Sequence, residues 1–204
     1  MRRLVCVLRV SVRCRRLNIC SIGDVEPEAF VSVIILGIDP GLANTGWGFV
    51  EVDGSRFRCL SYGCIRTTGT EDTARRCKTV RDGLADLIAR YAPAEAAIEN
   101  IYFSRNVATA MATGHARGAA LVAVADAGLP VGEYGPGEIK LAVVGTGSAD
   151  KGQVTYMVRT ILGLDHDPTP DHAADALAAA ICHANQRVAR ARERSMRETM
   201  GTSR

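Results

Sequence analysis

A chain of 204 residues that is 47% hydrophobic and 23% charged can bury one substantial core, which points to a single globular domain and excludes a fibrous or wholly disordered chain. No run of roughly 18 apolar residues is present, so no membrane span is expected, and the seven cysteines show no paired C-x-x-C spacing of a zinc or redox site. The formal charge of +3 is carried by the ends, since residues 1–17 hold six Arg and no acid, residues 187–204 hold six Arg against Glu193 and Glu198, and residues 33–186 hold 13 Lys/Arg against 17 Asp/Glu.

Residues 1–32 are Arg-rich, acid-poor as far as Asp24, and have neither helical nor strand period. They read as a basic extension outside the fold, disordered or the product of an early start codon. An organelle-targeting peptide is the compositional alternative, and a secretory signal fits poorly because arginines interrupt the apolar run. The core spans 33–186, and 187–204 reads as a disordered basic tail able to contribute only salt-dependent phosphate binding.

The core begins with Val33–Asp39, a nearly continuous apolar run of strand length, then the Pro40-Gly41 turn and a second strand over Thr45–Val52. Phe57–Thr67 is a third strand, completing an antiparallel meander. From Asp72 to Tyr91 apolar residues fall at Ala74, Cys77, Val80, Leu84, Leu87, Ile88 and Tyr91, which is helical spacing. Ala96–Phe103 is a short buried strand, Asn106–Ala127 an alanine-rich helix with Gly114 and Gly118, Leu129–Tyr134 a fifth strand and Gly137–Val144 a short helix. A loop, GTGSADKGQ, leads into a helix ending near Leu162, and a last helix runs from Asp171 to Asn185, with Thr169 and Pro170 at its start. A meander followed by alternating strands and helices predicts an α/β domain, a mixed five-stranded sheet with helices on both faces. Cys59, Cys64 and Cys182 lie in apolar patterns and read as inert thiols in a reduced, cytoplasmic setting.

Three places carry acids that need explaining. Asp39 closes the first strand, where a crevice opens in such sheets, although Asp before Pro-Gly also forms turns. Glu99 stands among apolar residues and requires compensation if interior, while a strand end would leave it on the surface. In PTPDHAADALAAAICHA, His172 and Asp175 share a helix face, as do Asp171 and Asp175, although an acidic first turn also suits the helix dipole. Together they suggest hard oxygen ligands for Mg²⁺ or Mn²⁺, and two such ions about 4 Å apart suit hydrolysis of a phosphodiester.

The blocks ILGIDPGLANTGWG, GCIRT, AIENIYF, GHARGAA, VVGTGSADKGQV and HAADALAAAICH, in this order, resemble the RuvC-type crossover junction endodeoxyribonucleases of the RNase H-like superfamily. The resemblance covers residues 33–185 and implies an RNase H-like three-layer fold. It also implies a homodimer that resolves four-way Holliday junctions in recombination and repair by metal-dependent symmetric nicks in two strands of like polarity. A branch-migration helicase and its junction-binding subunit are the implied partners. Asp39, Glu99 and Asp175 match the family's carboxylates. His172 falls at a position that is Asp in some members and His in others, with Asp171 as a helix cap or supporting acid. Lys140 and Lys151 match lysines near the scissile phosphate. Tyr102 and Phe103 fall at a base-stacking aromatic, and Arg105 and Arg117 are candidate phosphate contacts.

Other readings are weaker on the same residues. An actin-like kinase fold also opens on Asp-x-Gly, but it predicts a second nucleotide-binding half, and GTGSADK lacks a Walker ending. A non-catalytic junction-binding module remains compatible with a histidine at 172. An RNA-processing nuclease of the same superfamily is disfavoured by the GHARGAA and HAADALA blocks.

Overall fold

The computed structural model describes residues 32–100 and 107–201, so the reading of the N-terminal extension lies outside the described residues. Three strands, β1 (Val33–Asp39), β2 (Asn44–Asp53) and β3 (Arg56–Arg66), form the expected meander. They are followed by α1 (Thr73–Tyr91), β4 (Glu95–Glu99), α2 (Val107–Asp126), β5 (Val131–Tyr134), α3 (Pro136–Val144), α4 (Lys151–Leu162) and α5 (Asp171–Gly201). The sheet runs β3-β2-β1-β4-β5, antiparallel through the meander and parallel from β1 to β4 and β4 to β5.

Because side chains alternate along a strand, β1 feeds two cores. Leu36 and Ile38 pack with Val80 and Leu84 of α1 and Ala120 and Val124 of α2. Ile35 faces the other way, into a core with Ile139 of α3, Val158 of α4 and Leu177 and Ile181 of α5. This is the three-layer arrangement with helices on both faces, and it explains why the β1 run is apolar without alternation.

A row of glycines decides how close α5 comes. A Cβ on Gly37 would lie 1.9 Å from the carbonyl oxygen of Ala176, one on Gly46 1.9 Å from that of His172, and one on Gly48 2.5 Å from Cδ2 of Leu177. The helix answers with small buried residues, Ala173, Ala176 and Ala180. With no bulk on either side, the helix rests against β1 and β2, and its first turn reaches the end of β1.

Two boundaries differ from expectation. Strand β4 ends at Glu99, the expected continuation over residues 101–103 lying outside the described residues, and α5 continues past Asn185 to Gly201. Residues 187–200 are rich in Arg, Ala, Glu and Met and free of Gly and Pro, so propensity carries the helix where a disordered tail was expected. Helix α5 starts at Asp171, directly after Pro170. Cys59, Cys64 and Cys182 are free thiols, and burial pushes Cys59 up to about 11, which keeps it protonated and unreactive at neutral pH.

Candidate active site

Parallel pairing of β1 with β4 sets Ile38 beside Ile98, one residue before each strand ends, so Asp39 and Glu99 emerge at the same edge. Alternation turns both carboxylates toward α5, since Asp39 follows Ile35 and Gly37 on that face and Glu99 follows Ala97. The first turn of α5 supplies His172 and Asp175, three residues apart and on one helix face. Nδ1 of His172 lies 2.7 Å from Oδ2 of Asp39. Asp39, His172 and Asp175 each present a ligand atom, and these atoms lie within 4.8 Å of one another, a group able to hold a metal ion. Glu99 adjoins this group and interacts electrostatically with both Asp39 and Asp175.

Burial raises the Asp39 carboxyl above its usual range, with Asp175 adding repulsion and the His172 hydrogen bond opposing. Burial likewise drives Glu99 up to about 7, reinforced by Asp39 and Asp175 and opposed by Lys151 and Lys140. Three carboxylates held together this way are at odds with their own ionisation, and a cation relieves the conflict. Carboxylate oxygens and one imidazole nitrogen are a donor set that fits a divalent metal.

Asp150 caps α4, its Oδ1 accepting from the Gln153 amide at 2.9 Å while the Gln153 side chain accepts from the Asp150 amide at 2.9 Å. That box fixes Lys151 at the start of α4, with Nζ 3.2 Å from Asp175 Oδ2 and 3.3 Å from Asp171 Oδ2. Burial alone would lower the Lys151 pKa, but Asp175 and Asp171 outweigh it and hold the ammonium charged. Asp171 therefore faces Lys151, while the ligand group draws on His172. Lys140 of α3 joins Lys151, Glu99 and Asp175 around a cleft of about 270 Å³.

Arg117 is placed elsewhere. Its side chain is 21% exposed and pairs with Glu133, and Nη2 donates to Oδ1 of Asn100 at 3.0 Å. It ties α2 to the residue following Glu99. Tyr102, Phe103 and Arg105 lie outside the described residues. The sequence reading passed over Arg76, which lines a groove ending at His172, and the glycine row, whose alternate spacing at Gly46 and Gly48 was the signal available.

Known proteins resemble this chain in sequence and in fold. The family model described as crossover junction endodeoxyribonuclease RuvC matches residues 35–183. A crossover junction endodeoxyribonuclease RuvC of Desulforamulus reducens is 49% identical over 152 residues, covering 74% of this chain and 93% of that protein. The solved structure of Thermus thermophilus RuvC superposes with a TM-score of 0.70 at 39% identity, covering 75% of this chain and 94% of that one. The T. thermophilus protein in complex with a Holliday junction substrate gives 0.69 at 37% identity, with the same coverage. With its RNase H-like fold and a match over most of its length, the chain belongs to the family of RuvC crossover junction endodeoxyribonucleases.

Proposed function

We propose that the chain resolves four-way DNA junctions as a homodimer, nicking two strands of like polarity with Mg²⁺ or Mn²⁺, two ions per site. The observation that carries this reading is the convergence of Asp39, His172 and Asp175 within 4.8 Å, beside Glu99 at the edge of the parallel strands. Asp39, Glu99, His172 and Asp175 would hold the ions. Bound there, they supply Lewis-acid polarisation of the phosphate and activation of a water.

The chain's own groups do the rest. In the tautomer that carries its hydrogen on Nδ1, His172 donates to Asp39 Oδ2, and its Nε2 lone pair would then serve to ligate metal or to take a proton from the attacking water. Lys140 and Lys151 orient the phosphodiester and offset charge developing on its oxygens. Tyr102 or Phe103 stacks on an unpaired base at the crossover, as the family resemblance implies, and Arg105 is a generic candidate for a phosphate contact.

Support for a dimer comes from α2. Met111, Gly114, Gly118 and Val122 recur at helical spacing, Met111 is 59% and Val122 51% exposed, and a Cβ on either glycine would meet nothing within 4 Å. The helix packs on the sheet through Ala120, Ala123 and Val124 instead, with Ala116 also buried, leaving this stripe for a second copy. Two-fold symmetry then delivers paired nicks. In the cell this activity would work in the cytoplasm with a branch-migration helicase and its junction-binding subunit, as the resemblance implies. No described helix is long and apolar enough to cross a membrane.

The test is a labelled synthetic four-way junction and a linear duplex incubated with the protein in Mg²⁺, Mn²⁺ or EDTA and resolved on a denaturing gel. Paired symmetric nicks in the junction alone, and only with metal, are expected. Tight junction binding without a cut in either metal would replace the enzyme by a binding module.

A further inference from the structure

The carboxylate cluster has two flanks. One is the cleft where Lys140 and Lys151 stand. The other is a groove of about 430 Å³ that runs from His172 between the loop after β1 and α2, and among the described residues Arg76 of α1 is the permanent cation lining it. The guanidinium is held in place, since Nε donates to Oγ1 of Thr67 at 2.8 Å. Thr67 is fixed in turn, its hydroxyl donating to the Leu42 carbonyl at 2.6 Å and its amide to the Ala43 carbonyl at 3.0 Å. The loop that forms one wall of the groove thus also orients the arginine.

Arg81, Arg117, Arg159 and Arg187 each pair with a carboxylate, whereas among the described residues no carboxylate pairs with Arg76. With Nε engaged, the two Nη groups of this groove-lining guanidinium carry no carboxylate partner among the described residues, and Asn44 and Thr113 line the same groove. A partly buried, pre-oriented guanidinium fork without a counter-charge suits a phosphate oxygen. The electrostatics demand such a group. A strand whose scissile phosphate lies on the cluster must carry its neighbouring phosphates past both flanks, each repelled by Asp39, Glu99 and Asp175, and the lysines serve one flank only.

We infer that Arg76 binds a backbone phosphate of the cleaved strand on the His172 side of the scissile bond, so the strand crosses from the lysine cleft to the Arg76 groove. This rests on the reading of the chain as a junction nuclease, and it adds a contact and a strand path to it.

The experiment is equilibrium binding of a four-way junction in EDTA across a salt series, for wild type, R76Q and T67V, with wild-type nicking assayed in parallel. R76Q is expected to bind about 3–10-fold more weakly and to lower the slope of log affinity against log salt by about 1. T67V loosens the brace but keeps the charge, and should retain the wild-type slope. A wild-type slope in R76Q, or an equal loss in T67V, overturns the inference while junction nicking by wild type stands. A wild type that neither prefers nor nicks the junction overturns the nuclease reading and this contact with it.

Discussion

Nδ1 of His172 and Oδ2 of Asp39 meet at 2.7 Å although 133 residues separate them in the chain. The contact joins the end of the central strand to the first turn of the last helix, and it makes Asp39 both a ligand candidate and the group that orients the imidazole. Asp39→Asn keeps the shape of the side chain and removes its charge. Cleavage of a junction should fall at least roughly a thousandfold while junction binding in EDTA persists. Loss of binding as well would make the acid structural.

The identity of residue 172 bears on metal choice. Imidazole suits Mn²⁺ better than Mg²⁺, and a carboxylate reverses the preference. His172→Asp should therefore lower the ratio of Mn²⁺- to Mg²⁺-supported cleavage several-fold, and His172→Ala should depress cleavage in both. Metal titrations of the initial nicking rate measure the ratio, and an unchanged ratio in the aspartate variant would remove His172 from the ligand set.

Glu99 links pH to stability in the metal-free protein. Burial, with repulsion from Asp39 and Asp175, raises its carboxyl from 4.5 to about 7. Between those values the folded state holds a proton that the unfolded state has released. Its contribution is therefore fully present below about pH 4.5 and is lost as pH rises through 7. In EDTA the midpoint of thermal unfolding should fall over this window by roughly 5–10 °C, the equivalent of about 2–3 kcal/mol. Glu99→Gln should flatten the dependence. Added Mg²⁺ or Mn²⁺ should raise the midpoint more at pH 8 than at pH 5.5, because the ion competes with that proton. Scanning calorimetry across pH gives both readings.

Most of the fold is legible in the sequence because its cores are periodic. The apolar run of β1, the helical spacing from Ala74 to Tyr91 and the caps around Asp150 and Gly163 each obey a local rule. The acids at Asp39, Glu99 and Asp175 stand out because they interrupt apolar surroundings. What the sequence hides is long-range. Whether Arg117 meets solvent or Glu133 depends on how α2 lies across β5, and no local pattern states it. The value of Arg76 likewise arises only when the loop after β1, α1 and α2 enclose one groove.

The approach of α5 predicts a penalty at glycine. Gly37→Ala would place a methyl 1.9 Å from the Ala176 carbonyl oxygen, and backbone cannot yield as a flexible side chain does. The variant should lose about 3 kcal/mol or more of stability. Because α5 must move outward, whatever folds should also nick poorly, as His172 and Asp175 retreat from Asp39. Gly54→Ala, where no atom lies within 4 Å but φ is +57°, separates backbone strain from collision and should cost only about 1 kcal/mol. Denaturant unfolding of the two variants compares them directly.

Arg117 permits a sharper test, because two roles for it give opposite signatures. As a phosphate contact it would contribute to junction affinity and to the salt dependence, so Arg117→Gln would weaken binding and lower the slope. Its place between Glu133 and Asn100 argues for the other outcome. The Asn100 amide donates to the Tyr134 carbonyl at 2.8 Å, and the Arg117 bond to the Asn100 side chain completes the hold on the residue after Glu99. Arg117→Gln should therefore keep the wild-type salt slope, lose roughly 1–3 kcal/mol of stability from the broken polar network, and require more metal for half-maximal nicking as Glu99 loses its anchor. A reduced slope with an unchanged metal requirement would return Arg117 to the phosphate contacts and show that its bond to Asn100 yields when DNA binds.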